Sequence, residues 1–346
     1  MLHISDLVLG NPNYRRETRE ANAGRDLIDL DRQAALDRAV GCALEHDVDV
    51  LLVSGGLIDG RGNPATYRDW LDTRFHQLHA AGITPVIYDP LSAIDGADAV
   101  LLGDDHVATA AGATFAPLAL AVERASTHPD ELIVAVGHGC VPGIGGSATF
   151  ERELDDRAIM QAADSCAYVA LGGMLECQPV AANAWYSGSP CGLFAFHPGT
   201  PGGIIVQLGR TTREVLDLIH VQFDCRRRVS VSLDAGGMSC DQLAGALHRR
   251  LDPICFAVDP HHAMDDDHPL AMLYGGACDR NEIGWWSRPV INLKVTHADC
   301  TLPEVLGASP LLRQMLCDGE HLLVNVAWTE EGAGGPRKSK FVPSRA

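Results

Sequence analysis

Val48-Asp49-Val50-Leu51-Leu52-Val53-Ser54-Gly55-Gly56-Leu57-Ile58-Asp59 is the stretch on which the fold turns. An apolar, valine-rich run that ends on Ser54 and a glycine pair reads as a buried strand opening into a loop. The same arrangement starts the chain as His3-Ile4-Ser5-Asp6-Leu7-Val8-Leu9-Gly10. It returns at Val136-Gly137-His138, at Tyr168-Val169-Ala170-Leu171-Gly172-Gly173-Met174-Leu175 and at Trp185-Tyr186-Ser187-Gly188-Ser189-Pro190.

Between these stretches lie further strands and helices. The patterning predicts strands over Leu2–Ser5, Val48–Ser54, Thr84–Tyr88, Ala99–Leu102, Leu132–Val136 and Tyr168–Leu171. Apolar residues at helical spacing predict helices over Asp31–Glu45, Tyr67–Ala81 and Glu151–Ala163. Alternating strands and helices imply an α/β layer architecture. Beyond Trp185 the pattern turns to successive strands, over Gly203–Leu208, Val215–Phe223 and Arg228–Leu233, which we read as the second sheet of a β-sandwich with helices outside. A helix follows over Ser239–Leu251 with Ser239 as its N-cap.

Composition sets the class. A chain of 346 residues with 46% hydrophobic content is long enough for a large core and a second, smaller domain. It enters a strand almost at once and has no run near the ~20 apolar residues of a membrane span, so a cytoplasmic, membrane-free protein is expected. Eleven cysteines without a Cys-x-x-Cys pair argue against a disulfide framework and a thiolate zinc site, and read as reduced, mostly buried thiols. A formal charge of -18 argues against an autonomous nucleic-acid binder, because phosphate contacts need clustered Lys and Arg.

The ordered stretches resemble the calcineurin-like metallophosphoesterases, most closely the nuclease subunit of the SbcCD-type DNA repair exonucleases, over roughly residues 1 to 210. The resemblance implies an α/β, two-sheet metallophosphoesterase sandwich flanked by helices, with a small α+β capping domain. In residue ranges this is a metallophosphoesterase-like domain over 1–215, a capping-like domain over 216–330 and a basic flexible tail over 331–346. In such enzymes two cations about 4 Å apart clamp the phosphate and activate a water.

The ligands that this family uses are mostly missing here. Of the first motif, Asp-x-His, Asp6 is kept and Val8 stands at the histidine. The bridging aspartate of Gly-Asp is Gly56. Counting from Pro85, the Gly-Asn-His segment falls on Leu91-Ser92-Ala93-Ile94, with Ser92 and Ala93 at the ligand positions. The lone histidine is His138. Both histidines of Gly-His-x-His are replaced, by Gly173 and Leu175, while Tyr186-Ser187-Gly188-Ser189-Pro190 resembles the family's Tyr-Pro-Gly-Ser segment and supports the register.

Asp6 and His138 are therefore the vestigial metal positions that the resemblance implies, and one carboxylate with one imidazole cannot hold two metals. The structural reading is the favoured one: Asp6 bonds loop amides and His138 is a satisfied core histidine. Asp59, Asp89 and Glu176 lie near the motif positions and are the candidates for a rebuilt one-metal site. The run His261-His262-Ala263-Met264-Asp265-Asp266-Asp267-His268 reads as a solvated acidic loop, and Trp285 and Trp286 as a packed domain edge. Arg226 to Arg228 read as a solvated strand edge. Gly143, Gly145 and Gly146 form no phosphate loop, since no Lys-Ser or Lys-Thr follows.

The first expectation is a catalytically degenerate subunit that needs no cofactor and scaffolds a DNA-end-processing complex. By resemblance its partner is a coiled-coil ATPase of the SbcCD type, DNA is reached indirectly, and Asp31–Glu45 with Tyr67–Ala81 are the homodimer helices. The second is an active phosphodiesterase or exonuclease, dependent on manganese or a similar divalent cation, with a rebuilt site. A third is a small-ligand or nucleotide-binding module in the emptied cleft.

Overall fold

The computed structural model describes residues 1–10, 27–59, 63–88, 99–146, 148, 152–192, 201–223, 228–256, 290–317 and 323–330. Ser92, Ala93, Asp89, His261 to His268, Trp285, Trp286, Arg226, Arg227 and the 331–346 tail lie outside these residues. Among the described residues the chain divides into two compact units, the first ending at Phe223 and the second beginning at Arg228.

The first unit begins as repeated strand-helix-strand crossovers. β1 (Leu2–Ile4), α1 (Leu27–Glu45), β2 (Val50–Val53), α2 (Arg68–Ala80), β3 (Thr84–Tyr88) and β4 (Val100–Leu102) place four strands side by side, all parallel. β5 (Ala108–Ala110), β6 (Ala113–Pro117), α3 (Leu118–Thr127), β7 (Ile133–His138), α4 (Asp156–Ser165), β8 (Tyr168–Gly172), β9 (Gln178–Ala181) and β10 (Ala184–Tyr186) build a second sheet. Its order is β5-β6-β7-β8-β10-β9, with β6, β7, β8 and β10 parallel.

The last two strands of the unit correct the sequence reading. β11 (Gly202–Leu208) and β12 (Val215–Gln222) do not form the second sheet; β11 runs antiparallel to β1, and β12 to β11, extending the first sheet to β12-β11-β1-β2-β3-β4. Period-2 patterning identifies a strand but carries no information about its partner. The short strands β5, β6, β9 and β10 and the helix α3 were not anticipated.

A shared apolar cluster fills the space between the sheets. Val50, Leu52, Val86, Ile204 and Val206 from the first sheet meet Phe115, Val134, Val136, Tyr168 and Ala170 from the second. Strand alternation turns Ile133, Ala135, Val169 and Leu171 outward, where they join Ala121 of α3 and Ile159 and Ala162 of α4. α4 starts later than its apolar pattern suggested because the Asp155 side chain accepts a bond from Arg157 N and caps it there. On the first sheet, α1 and α2 are tied by a bidentate pair: Arg74 Nε and Nη2 donate to the two carboxylate oxygens of Asp37. Burial pushes the Asp37 carboxyl up, although Arg74 acts in the opposite sense.

The second unit, among its described residues, is an alternating chain: β13 (Arg228–Asp234), α5 (Cys240–Phe256), β14 (Val290–Ala298), α6 (Leu302–Ala308), α7 (Pro310–Cys317) and β15 (Leu323–Glu330). All three strands are parallel, in the order β13-β14-β15. Among the described residues this unit is of α/β type, with helical segments between its parallel strands, where the resemblance implied an α+β one. Ser239 caps α5 as read from the sequence: its Oγ accepts from Gln242 N at 3.3 Å, while Gln242 Oε1 accepts from Ser239 N at 3.0 Å. Leu243, Leu247 and Leu251 bury one face of α5 among Val231, Leu293 and Val295. Among the described residues of the chain, no helix is long and apolar enough to cross a membrane.

Candidate functional site

Parallel strands of both sheets end at one edge, and the turns that follow them converge there. Asp6 follows β1, Gly55 and Gly56 follow β2, His138 closes β7, Gly173 follows β8, and Ser187 to Ser189 follow β10. This is the edge at which open α/β sheets place their ligands. The structure brings together most of the positions singled out in the sequence: Asp6, Val8, Gly56, His138, Gly173 and Leu175.

The turns are held by a dense set of hydrogen bonds. Asp6 N donates to Gly55 O at 3.0 Å and Val8 N to Gly56 O at 2.6 Å. Asp6 is buried, and its Oδ2 accepts from Gly173 N at 2.8 Å. Ser189 Oγ donates to Asp6 O at 3.0 Å. His138 is buried as well, with Nδ1 placed 3.0 Å from Ser54 O. Its Nε2 stands 3.8 Å from Asp6 Oδ1, beyond hydrogen-bond reach but within electrostatic contact.

Left-handed backbone recurs along this edge. Asp6 and Val8 both adopt left-handed dihedrals, with φ of 57° and 53°, as do Gly55, Gly56 and Gly173 at 101°, 67° and 106°. For a β-branched residue such as Val8 this costs about 1–2 kcal/mol, and surrounding bonds must hold it in place. Such strain accumulates at sites of binding and catalysis.

The space that ligand side chains would need is taken. A Cβ on Gly173 would stand 2.7 Å from Gly139 N and 2.8 Å from Gly139 O, so the backbone itself blocks a side chain there. A Cβ on Gly56 would come 3.0 Å from both Cα and Oδ1 of Asp6. One on Gly55 would overlap the His138 imidazole. Leu175 is buried, and its carbonyl accepts from Ser189 N.

These residues do not fit the two cations of a phosphoesterase. Among the described residues, no group of three or more His, Cys, Asp and Glu side chains is placed to hold a metal ion. Asp59 bonds Leu9 O through its backbone N, and Glu176 lies beside the Gly146 turn; neither joins Asp6 and His138 in such a group. Gly145, in that same turn, accepts from Gln178 Nε2 through its carbonyl.

Sequence reasoning missed the polar residues that support the edge. Beneath it, His3 Nε2 lies 2.7 Å from Ser54 Oγ and Nδ1 lies 3.0 Å from Tyr168 Oη. Complete burial lowers the His3 imidazole to about 3 and holds it neutral. Ser187 Oγ donates to Ser5 Oγ at 2.9 Å, and Ser5 Oγ to Gly188 O at 3.3 Å. Tyr186 Oη donates to Gly139 O and accepts from Val141 N, and burial pushes its phenol up. Burial likewise raises the Cys140 thiol, reinforced by the Asp6 and Glu153 carboxylates. A polar residue at an inward strand position, as at His3, was the available signal.

No model of a known protein family matches the chain, and no curated protein does.

Proposed function

We propose that this protein is a catalytically degenerate metallophosphoesterase of the SbcCD nuclease-subunit type, retained for assembly. The observation that carries the reading is the edge itself. Its turns keep the left-handed backbone of a ligand-presenting site at Asp6 and Val8, yet Val8 offers no donor atom and Gly173 leaves no room for one. A strained frame with Val8 and Gly173 at its ligand positions is what remains when the ligating side chains have been lost and the frame has been kept.

In this reading Asp6 has changed employment: its carboxylate holds the Gly173 turn where a cation would otherwise have organised both. The two-sheet sandwich becomes a scaffold within a DNA-end-processing complex, with a coiled-coil ATPase as partner and DNA reached through it. The dimer face falls on α1 and α2. The exposed positions of α2 include Arg68, Asp69, Thr73 and Gln77, so such a dimer would use hydrogen bonds and ion pairs more than apolar burial.

The test is hydrolysis of a chromogenic phosphodiester and of linear DNA with manganese, against Asp6→Ala and His138→Ala. The expected result is no turnover above either variant, with co-purification of a coiled-coil ATPase from cells. Manganese-dependent turnover abolished by either substitution overturns the reading.

A further inference from the structure

The converging turns follow the C-terminal ends of their strands; at the opposite end of the second sheet lies a cleft. Ile133, which opens β7, and Ala167, just before β8, line a cavity of about 790 Å³. The last turns of α3 and α4, the β9–β10 turn at Ala182 and Asn183, and the β11–β12 turn at Thr212 to Glu214 complete it, all within the first unit. A space of this size takes a small organic molecule.

The walls are fixed without help from an occupant. Asn183 Nδ2 donates to Ala163 O at 2.9 Å and to Cys166 O at 3.0 Å, tying the end of α4 to the β9–β10 turn. Gly209 N donates to Glu214 O at 2.9 Å and Arg213 N to Gly209 O at 2.7 Å, closing the β11–β12 turn. Ala163, Ala167, Ala181, Val215 and the exposed Met160 give the cleft aliphatic walls, and among the described residues no Phe, Tyr or Trp lines it.

Two of the ionisable groups on these walls are already matched. Glu131 accepts from Arg124 Nε and Nη2 and from Thr114 Oγ1, and Arg213 faces Asp130 at 3.6 Å. His128 Nδ1 stands 2.8 Å from Thr127 Oγ1. Asp164 on α4 and Glu214 on the β11–β12 turn remain, both exposed. They make the cleft negative, and the two helices that end there add to it, since the last carbonyls of a helix carry partial negative charge. Asp164 occupies the last turn of α4, where the helix dipole opposes a carboxylate, and no basic residue in that turn offsets it. A carboxylate set against the local preference marks a position kept for its charge.

We propose that this cleft binds an aliphatic polyamine, whose ammonium groups pair with Asp164 and Glu214 while its methylenes lie against the alanine and methionine walls. The chemistry separates this ligand from other cations. A hard divalent cation needs several oxygen ligands, and among the described residues no three His, Cys, Asp or Glu side chains are grouped to hold one. A guanidinium gains from aromatic faces, which the cleft lacks. A formal charge of -18 draws cations towards the chain from a distance and so favours the encounter.

The full chain is titrated with spermidine by isothermal calorimetry at low and at physiological ionic strength. The expected result is saturable one-to-one binding at both, with putrescine also bound and butylamine, which has a single ammonium, weaker than putrescine by about tenfold. Asp164→Asn and Glu214→Gln each weaken spermidine binding by about tenfold, and the double variant by about a hundredfold. Both replacements are isosteric and exposed, and circular dichroism checks that the variants fold. Asp105→Asn combined with Asp299→Asn removes the same charge from exposed positions elsewhere and leaves the affinity unchanged. Absence of saturable binding overturns the proposal. So does equal weakening in the two double variants, or displacement of spermidine by magnesium at matched ionic strength, since the polyamine would then only screen the net charge.

Discussion

Replacing Gly173 by alanine tests whether the converging turns are closed or merely empty. The backbone at Gly173 has φ of 106°, and a Cβ there would lie 2.7–2.9 Å from the N, O and C atoms of Gly139. The conformation alone costs an L-residue about 1–2 kcal/mol. Overlap with a neighbouring backbone, which cannot rotate aside as a side chain can, adds about 1–3 kcal/mol. If the turn shifts to relieve it, the bond from Gly173 N to Asp6 Oδ2 is lost, and a hydrogen bond to a charged group is worth about 1.5–3 kcal/mol. Either route gives a loss of about 4 kcal/mol. Gly82→Ala is the matched control: its φ is 81° and a Cβ there meets nothing within 4 Å, so the conformational cost of about 1–2 kcal/mol stands alone. Urea denaturation followed by tryptophan fluorescence and circular dichroism separates the two through their midpoints. Equal losses in both variants would mean that the Gly173 turn yields readily, and the argument that no histidine fits there would fail.

Two further outcomes follow from buried ionisable groups. His3 is held at about 3 in the folded state against about 6.5 when unfolded, so below pH 6.5 the unfolded chain binds the extra proton. Its contribution to stability is therefore intact at pH 7, falls by about 1.4 kcal/mol per pH unit as pH drops below 6.5, and levels off near pH 3; denaturation at pH 7.0 and 5.5 should show a smaller difference in His3→Gln than in the parent. Arg74→Met strands the buried Asp37 carboxyl and is expected to cost about 2–3 kcal/mol, while adding Asp37→Leu recovers most of it; a double variant no more stable than Arg74→Met would show that the pair's value lies in attraction instead of mutual desolvation.

How much of this was legible beforehand depended on whether local chemistry or distant pairing decided each feature. Val50–Val53 and Thr84–Tyr88 are strands for local reasons, being short valine- and isoleucine-containing runs between helical stretches, and the sequence reading found both. The Ser239 cap was likewise visible, because serine three residues before glutamine writes the reciprocal bonds into the sequence. β11 and β12 were recognised as strands and placed in the wrong sheet, since pairing with β1 is a long-range choice. β5, β9 and β10 carry only three or four residues each, too few for a pattern to emerge. At the site, the residues Asp6 and His138 could be read from the ordered stretches, but their 3.8 Å separation and the Gly173 bond could not. Those depend on turns from two sheets meeting, which no stretch of sequence encodes alone.

The hydrogen-bonded chain beneath the turns has a consequence for how the two sheets are indexed. Apolar faces resist separation but oppose sliding only weakly, because one leucine substitutes for another as neighbour. His3 belongs to the first sheet and Tyr168 to the second, and their 3.0 Å bond is directional. Ser54 Oγ, 3.5 Å from Ile4 O, anchors the other end of the imidazole within the first sheet. Displacing one sheet by even half a strand residue would break that bond and leave buried polar groups unpaired. The chain His3, Ser54 and Tyr168 thus acts as a fixed pin between sliding plates, setting which strand ends lie opposite one another and hence which turns can meet.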